Sequence, residues 1–254
     1  MRSIAWIDGR VVEASQLRLD VPYVMQRIHT LGGKVYGANT HVVIMREASE
    51  YMFGFSSLVA AADVERIASK LVACANAPMD YSVPVVMRLD ARGVLSFEVE
   101  KPTYGHGIYL RARRYAGVEI EHVVPCPIVA QSSESVASDA MTTRRVAHLG
   151  GDVAVRVDAE GNVLSCPWAP IFVFYKGRLY TPMEYPSVEY RMVSRAAKAA
   201  NVELAVYPIP SSALGRIEEI FIVDIMGVSA LASIKNHRLR SSVAMKLAKV
   251  MEPK

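Results

Sequence analysis

Short stretches of alternating apolar and polar residues open the chain, and longer helical periodicities follow them. The stretch IAWIDGRVV predicts two strands joined at Asp8-Gly9, because this dipeptide adopts the positive backbone angles of a tight turn. From His41 onward, apolar residues recur at spacings of three and four in HVVIMREASEYMF and DVERIASKLVACAN. This spacing predicts two helices, the second with Asp63 as its N-cap.

A period of two returns between residues 81 and 129 and predicts successive strands of an antiparallel sheet. The stretches are VPVVMRLD, GVLSFEVEKP, GIYLRARRY and VEIEHVVP. The polar segment AQSSESVASDAMTT at 130–143 then interrupts the strands and leads to a short helix that ends near Gly150. We interpret this segment as the connection between a smaller N-terminal lobe at 1–129 and a larger C-terminal lobe at 130–254.

The second half of the chain shows hairpins followed by a helix. DVAVRVDAEGNVLS and PIFVFYKGRLYTP each predict a pair of strands, the latter turned at Lys176-Gly177. SVEYRMVSRAAKAANVEL predicts an amphipathic helix with Asn201 as a left-handed cap at its end. ELAVYPI and the apolar run EEIFIVDIMGVSALASI predict buried strand, and RSSVAMKLAKVM predicts a closing helix. The order of elements predicts an α+β fold of two lobes.

The composition excludes several classes of function. The 254 residues, 52% of them hydrophobic, are enough to bury the core of one large or two modest domains. The net charge of +4 is dispersed along the chain, so we expect no nucleic-acid partner. No stretch has the pattern of a signal peptide or a bilayer-spanning segment, and the three cysteines and six histidines lack metal-site spacing. We therefore expect a cytoplasmic protein with no membrane partner and no metal.

Three sequence landmarks resemble the fold-type IV pyridoxal-phosphate enzymes. This class IV aminotransferase family includes the branched-chain and D-amino-acid aminotransferases and aminodeoxychorismate lyase. The landmarks are DAEGNVL at 158–164, the hairpin IFVFYKGRLYTP, and RIEEIFIVDIMG at 216–227. The resemblance implies a two-lobed fold with a ligand cleft between the lobes, pyridoxal phosphate (PLP) as the family cofactor, and a homodimer.

The residues that hold the PLP ring in this family are replaced at the matching positions. Gln131 stands where the family has the lysine that forms the Schiff base, and no lysine occurs between Lys101 and Lys176. Ser165 replaces the glutamate that keeps the pyridinium nitrogen protonated, and Pro170 replaces an asparagine. An amide cannot form the imine, and a hydroxyl cannot stabilise a pyridinium charge.

The positions that bind the cofactor phosphate in the family are altered as well. The Gly-Ile-Thr-Arg turn of the family corresponds to the run Ser187, Val188, Glu189 and Tyr190. Glu189 therefore puts a carboxylate where the phosphate would lie, and like charges repel. Ile225 replaces a second threonine, and Ile44 stands at the position of an arginine. We expect no cofactor, on a scaffold that keeps the family fold.

The resemblance places a set of polar residues near the family cleft, and these form the candidate site: Arg88, Gln131, Glu134, Ser165, Glu189 and Tyr190. The first interpretation is a binding or regulatory homologue with a small-molecule ligand in the cleft, or one that pairs with an active paralogue. The second is an enzyme of changed chemistry in the same cleft, with Glu134 or Glu189 as a base whose pKa is raised by burial.

Other residues leave further alternatives open. Cys166, activated by a histidine such as His148, is a candidate nucleophile, although its neighbours also fit a buried structural thiol. The stretch Ser-Ser-Glu-Ser around Glu134 also fits an exposed linker. The third interpretation is a true PLP aminotransferase or lyase whose lysine comes from another place, such as Lys34 or Lys235.

Overall fold

The computed structural model describes residues 1–103, 115–120, 128–167, 169–184 and 186–251. Five helices lie in these ranges: α1 (Ala38–Phe53), α2 (Ala61–Cys74), α3 (Ser133–His148), α4 (Val188–Ala199) and α5 (Ser242–Met251). The strands in the same ranges are β1 (Ile4–Ile7), β2 (Arg10–Glu13), β3 (Tyr23–Ile28), β4 (Thr30–Leu31), β5 (Lys34–Val35), β6 (Val85–Asp90), β7 (Leu95–Val99), β8 (Tyr115–Ile120), β9 (Gln131–Ser132), β10 (Val153–Val157), β11 (Val163–Ser165), β12 (Ile171–Tyr175), β13 (Arg178–Thr181), β14 (Leu204–Val206), β15 (Glu219–Asp224), β16 (Gly227–Ile234) and β17 (His237–Arg238).

The described residues divide into two compact units. Unit 1 comprises 1–103, 128–136 and 186–188, and unit 2 comprises 115–120, 137–167, 169–184 and 189–251. Strand β8 precedes residue 130 in the chain and belongs to unit 2, because it pairs in parallel with β10 and β16. Strand β9 and the first turn of α3 belong to unit 1, because β9 pairs with β3.

Unit 1 is built on a six-stranded antiparallel sheet in the order β2-β1-β7-β6-β3-β9. Side chains alternate between the two faces of a strand, so Val24 and Ile28 of β3 join Met87 of β6 in one core. Helices α1 and α2 supply the other half of that core, with residues such as Met45 and Leu71. The opposite face of β3 and β6 carries Arg27 and Arg88 together with the buried apolar side chains of Met25 and Val86.

Unit 2 is built on a nine-stranded mixed sheet. The order is β11-β10-β8-β16-β15-β12-β13-β14, and β17 pairs with β16. One face of β12 and β15 carries Ile171 and Ile220 into an aliphatic core. On the other face the rings of Phe172 and Phe221 stack at 5.3 Å between centroids, and Tyr190 of α4 stacks on Phe172 at 6.3 Å.

Several turns predicted from the sequence are confirmed. Asp8 and Gly9 have φ angles of 45° and 86° between β1 and β2. Lys176 and Gly177 have φ angles of 48° and 83° between β12 and β13. Asn201 follows α4 with a φ angle of 53°, which is the left-handed conformation expected of a C-terminal cap.

Other local predictions are corrected. Helix α2 begins at Ala61 with Ala60 as its N-cap, so the assignment of Asp63 as the cap was wrong. Asp63 lies inside the first turn, where it accepts a hydrogen bond from Arg66 Nη2 at 2.9 Å. The apolar run at 218–234 forms two strands, β15 and β16, because Asp224 and Gly227 close a hairpin within it. Most of the predicted strand GIYLRARRY lies outside the described residues.

The polar segment at 130–143 was expected to lead to a short helix, and the structure corrects this, because most of the segment forms the first part of α3. Ser132 accepts from the backbone N–H of Ser135 at 3.1 Å, and Ser135 Oγ accepts from the backbone N–H of Ser132 at 2.8 Å. This reciprocal pair is a capping box, and it begins the 16-residue helix α3. Serines that favour turns therefore act here as helix caps.

In the ranges that the structure describes, no helix is both long and apolar enough to cross a bilayer.

Candidate functional site

Gln131 lies on β9 and is held by a chain of polar side chains on unit 1. Its Oε1 accepts a hydrogen bond from Arg27 Nη1 at 2.6 Å. Arg27 Nε in turn donates to both oxygens of Glu100, at 3.3 Å and 3.2 Å. Arg27 and Glu100 are about two-thirds buried, with 31% and 32% of their side chains exposed. Gln131, which the sequence resemblance matches to the family lysine, is therefore a neutral amide bound by a guanidinium.

This arrangement cannot supply the nucleophile of PLP chemistry. An imine requires an amine that can lose its proton, and the amide nitrogen of Gln131 has no available lone pair for that reaction. The guanidinium that binds Gln131 is that of Arg27, which donates to the amide oxygen. The chain Gln131–Arg27–Glu100 is instead a fixed polar network in which every member has a hydrogen-bond partner.

Arg88 lies on the same polar face, in the neighbouring strand β6. Its Nη1 is 2.8 Å from Glu98 Oε2, and 11% of its side chain is exposed. The guanidinium carbon is 6.0 Å from the ring centroid of Tyr23. Arg88 therefore forms an ion pair with Glu98 and lies over the ring of Tyr23.

The position that the sequence resemblance matches to the phosphate arginine of the family lies on helix α1. Ile44 on α1 is 2% exposed and belongs to the apolar core of unit 1. Nearby on the same helix, His41 Nδ1 is 3.0 Å from Gln26 Oε1. Ile44 is therefore a packing residue that offers no charge to an anion.

Ser165 on β11 lies directly opposite Arg156 on β10 in the strand register. Arg156 forms an ion pair with Asp139 of α3, and the exposed fractions of the two side chains are 15% and 2%. Ser165, which the sequence resemblance matches to the glutamate that holds the pyridinium, is thus a hydroxyl in register with a guanidinium that is paired with Asp139.

Cys166 is not an activated thiol. Its side chain is buried, and this burial raises the pKa of the thiol, with the Arg156 charge lowering it by less. His148, the suggested activating base, lies exposed near the end of α3. The reading of Cys166 as a buried structural thiol therefore fits, and its interpretation as a nucleophile does not.

Helix α4 begins at Val188, where the family has its phosphate-binding turn. Val188 is 6% exposed, and a Cβ placed on Gly37 would come within 2.7 Å of its Cγ2 atom. Glu189 lies in the first turn of α4, so a carboxylate of the chain itself meets the positive end of the helix dipole. Ile225 lies in the hairpin turn between β15 and β16.

Two of the remaining candidate residues have shifted pKa values. The pKa of Glu134 is lowered, chiefly by a hydrogen bond from Ser132 and by its own backbone N–H, so the expected rise from burial was wrong. A carboxyl of lowered pKa is a weaker base than an ordinary one. The pKa of Tyr190 is raised, first by burial and then by the charge of Glu184.

The two lysines suggested as substitutes for the family lysine are surface groups. Lys34 is exposed on β5. Lys235 Nζ is 2.7 Å from Glu119 Oε2 and donates to the carbonyl of Ser211 at 3.3 Å. Lys235 is therefore already bound to a carboxylate and a backbone carbonyl.

At the positions that the sequence resemblance matches to the PLP site, the residues present do not fit that cofactor. Gln131 is an amide bound by Arg27, Ser165 is a hydroxyl in register with Arg156, and Glu189 adds a carboxylate to the first turn of α4. Within the described residues, no cluster of three or more histidine, cysteine or acidic residues is arranged to hold a metal ion.

The sequence did not predict two of these arrangements, which are the network around Arg27 and the ion pair between Asp139 and Arg156. Arg27 shares the period-two face of β3 with Tyr23 and Met25, and this alternation was the available signal. Its partner Glu100 is 73 residues away in the chain, so the pairing itself carries no local signal.

Comparison with solved structures identifies the fold. The chain is similar to a branched-chain aminotransferase from Thermoproteus uzoniensis solved with norvaline, with a TM-score of 0.79, 19% identity, and 98% and 93% of the two chains covered. A PLP-bound hypothetical aminotransferase from Mycobacterium tuberculosis matches with a TM-score of 0.82, 16% identity, and 98% and 97% coverage. A fold IV transaminase from Curtobacterium pusillum matches with a TM-score of 0.83, 13% identity, and complete coverage of both chains at 100%.

No protein-family model matches the sequence, and no curated protein sequence matches it. The structural likenesses lie below 20% identity and show the fold alone. The α+β class and the fold of the class IV aminotransferases, both expected from the sequence, are confirmed.

Proposed function

We propose that this chain is a class IV aminotransferase-like protein that does not use PLP and acts as a binding or regulatory protein. The observation that carries the proposal is the hydrogen bond of 2.6 Å between Arg27 Nη1 and Gln131 Oε1 at the position of the family lysine. Gln131 is held by Arg27, which in turn is held by Glu100, so the side chain at this position has polar partners of its own. This supports a site that has changed at more than one residue.

The other altered positions support the same conclusion through electrostatics. Glu189 at the start of α4 would repel a phosphate dianion, and two like unit charges about 4 Å apart cost about 1 kcal/mol even in water. The hydroxyl of Ser165 carries no negative charge that could hold the pyridine nitrogen protonated. A bound ring would therefore lose both its anchoring and its capacity to accept electrons.

The alternative of an enzyme with changed chemistry has less support. Glu134 has a lowered pKa, and Cys166 is buried with a raised one. Neither group has the properties of a base or a nucleophile poised near neutral pH. We therefore place the function in recognition of a ligand or a partner chain.

An absorbance titration with PLP tests the proposal. The purified protein should leave the spectrum of free PLP unchanged, because no amine is available at the site to form the imine. Variants Lys34→Arg and Lys235→Arg serve as controls for surface lysines. If an imine band grows to one equivalent and is lost in one of these variants, that lysine is catalytic and the proposal is wrong.

We also propose a homodimer in a reducing compartment such as the cytoplasm. Among the described residues, Cys74 and Cys166 are both free thiols, as expected where disulfides do not persist. Sedimentation velocity of the purified chain at several concentrations measures the oligomeric state. A monomer throughout would contradict the dimer.

A further inference from the structure

A cavity of about 650 Å³ lies wholly within unit 2, between the strands β12, β13 and β14 and the segment 207–217. The polar and aromatic residues that line it are Tyr175, Arg178, Tyr180, Tyr207, Ser212 and Arg216. No aspartate or glutamate is among its described lining residues. Cavities of about 300 to 1,000 Å³ are the usual size for small-molecule ligands.

The sheet wall of this cavity is formed by side chains that the strand register places on one face. Val173 is paired with Tyr180, and Tyr175 is paired with Arg178, across β12 and β13. Tyr180 is in turn paired with Ala205 of β14. Directly opposite residues share a face, so Tyr175, Arg178 and Tyr180 all lie on the same face of the sheet. The floor beneath it is the apolar core, to which Val173 and Tyr180 both contribute.

The second wall is held in place by backbone hydrogen bonds at several points. Tyr207 N donates to Thr181 O at 3.0 Å, and the carbonyl of Ile209 accepts from Val163 N at 2.8 Å. Ser211 N donates to Gly161 O at 2.8 Å. Pro208 and Pro210 further restrict this segment. The cavity is thus preformed, which lowers the entropic cost of binding a ligand.

Two guanidiniums line the cavity, and Glu203 and Glu218 lie near its edge, where Glu218 Oε1 accepts from the backbone N–H of Lys176 at 2.8 Å. Arg216 is exposed and has no ion pair among the described residues. Arg178 Nε is 2.9 Å from Glu203 Oε2, with both side chains more than half exposed, and an ion pair of this kind is easily exchanged. The ammonium of Lys176 lies 5.3 Å from the ring centroid of Tyr175. A guanidinium binds a carboxylate through two parallel hydrogen bonds.

We propose that this cavity binds a small aromatic carboxylate. The ring lies between the tyrosines and the apolar floor, where flat apolar surface is available, and the carboxylate is held by Arg216 with Arg178 in reach. None of the lining residues is at a position that holds PLP in the family, so the proposal does not depend on the proposed function.

Isothermal titration calorimetry with indole-3-acetate as the probe tests the proposal. Saturable binding is expected, and the neutral analogue 3-(2-hydroxyethyl)indole should bind at least about tenfold more weakly, because it lacks the charge. Acetate, which has the charge and no ring, should show no measurable binding. Equal binding of the acid and the neutral analogue would overturn the proposal, as would the absence of saturable binding at millimolar probe.

Matched variants locate the binding. Arg216→Gln should weaken binding of indole-3-acetate by about tenfold or more, whereas Arg195→Gln removes the same charge from the exposed surface of α4 and should leave it unchanged. Equal effects of the two variants would show general electrostatic attraction and overturn the proposal. Tyr207→Ala should weaken binding without changing the oligomeric state. If it dissociates a dimer instead, a second copy of the chain covers the cavity and the proposal fails.

Discussion

The buried ion pair between Asp139 and Arg156 makes a quantitative prediction about stability. The exposed fractions of the two side chains are 2% and 15%, so both charges have lost most of their hydration. Replacing Asp139 by asparagine keeps the size of the side chain and leaves the Arg156 charge buried without its counter-ion. Breaking a buried pair in this way costs about 3 to 5 kcal/mol. That is a large part of the roughly 5 to 15 kcal/mol that stabilises a typical domain.

Urea denaturation followed by circular dichroism measures this effect. Asp139→Asn should lower the free energy of unfolding by about 3 to 5 kcal/mol. The exposed pair Asp63–Arg66, with exposed fractions of 50% and 63%, is the matched control, and Asp63→Asn should cost less than about 1 kcal/mol.

A double variant separates the pair from the other contacts of Asp139. Replacing both partners, as Asp139→Leu with Arg156→Met, removes both buried charges together and should be more stable than either single variant. A cost for Asp139→Asn no greater than that for Asp63→Asn would refute the reasoning. The reasoning would also be refuted if the double variant lowered the free energy of unfolding by the sum of the effects of Asp139→Leu and Arg156→Met measured separately.

Three further substitutions have outcomes fixed by local geometry. Glu219, 1% exposed, accepts backbone N–H groups at the start of α5, so Glu219→Gln should cost about 1 to 3 kcal/mol in the same urea assay and lower the helical signal. Burial raises the pKa of Asp90, but the hydrogen bonds from Arg92 and Val94 together lower it by more. The pKa in the folded protein therefore lies below the ordinary value of 3.8. The stability that Asp90 contributes is therefore present above about pH 4 and lost as the pH falls through the pKa of the folded protein. The difference in unfolding free energy between the wild type and Asp90→Asn should shrink in acid, and a difference that stays constant with pH would contradict this. Gly37 has a φ angle of 69°, where a side chain is strained, so Gly37→Ala should lower the thermal midpoint at a cost of about 1 to 3 kcal/mol.

The sequence predicts those parts of the fold that depend on neighbouring residues. The Asp8-Gly9 and Lys176-Gly177 turns are encoded by the backbone preferences of their own residues, and both are confirmed. Asp63 shows the limit of this reasoning, since several residues near a helix start can act as its cap. Ser132 and Ser135 show another, because the same serines favour turns and helix caps.

The contacts of the candidate site could be predicted less well from the sequence than the turns. The sequence resemblance matches Gln131 to the family lysine, but the hydrogen-bond partner of Gln131, Arg27, lies 104 residues away. The pairing arises because β9 aligns with β3 in the sheet, and sheet register between distant strands has no local signal. The charge of Arg156 beside Ser165 likewise depends on the register of β10 and β11.

Mass spectrometry of the intact protein, after incubation with PLP and reduction with borohydride, tests most directly whether the chain has lost its Schiff-base lysine. We expect an unmodified protein as the main species, with only scattered, substoichiometric adducts on exposed lysines. One adduct per chain, mapped by peptide analysis to a single lysine, would instead identify the chain as a PLP enzyme with a relocated Schiff base.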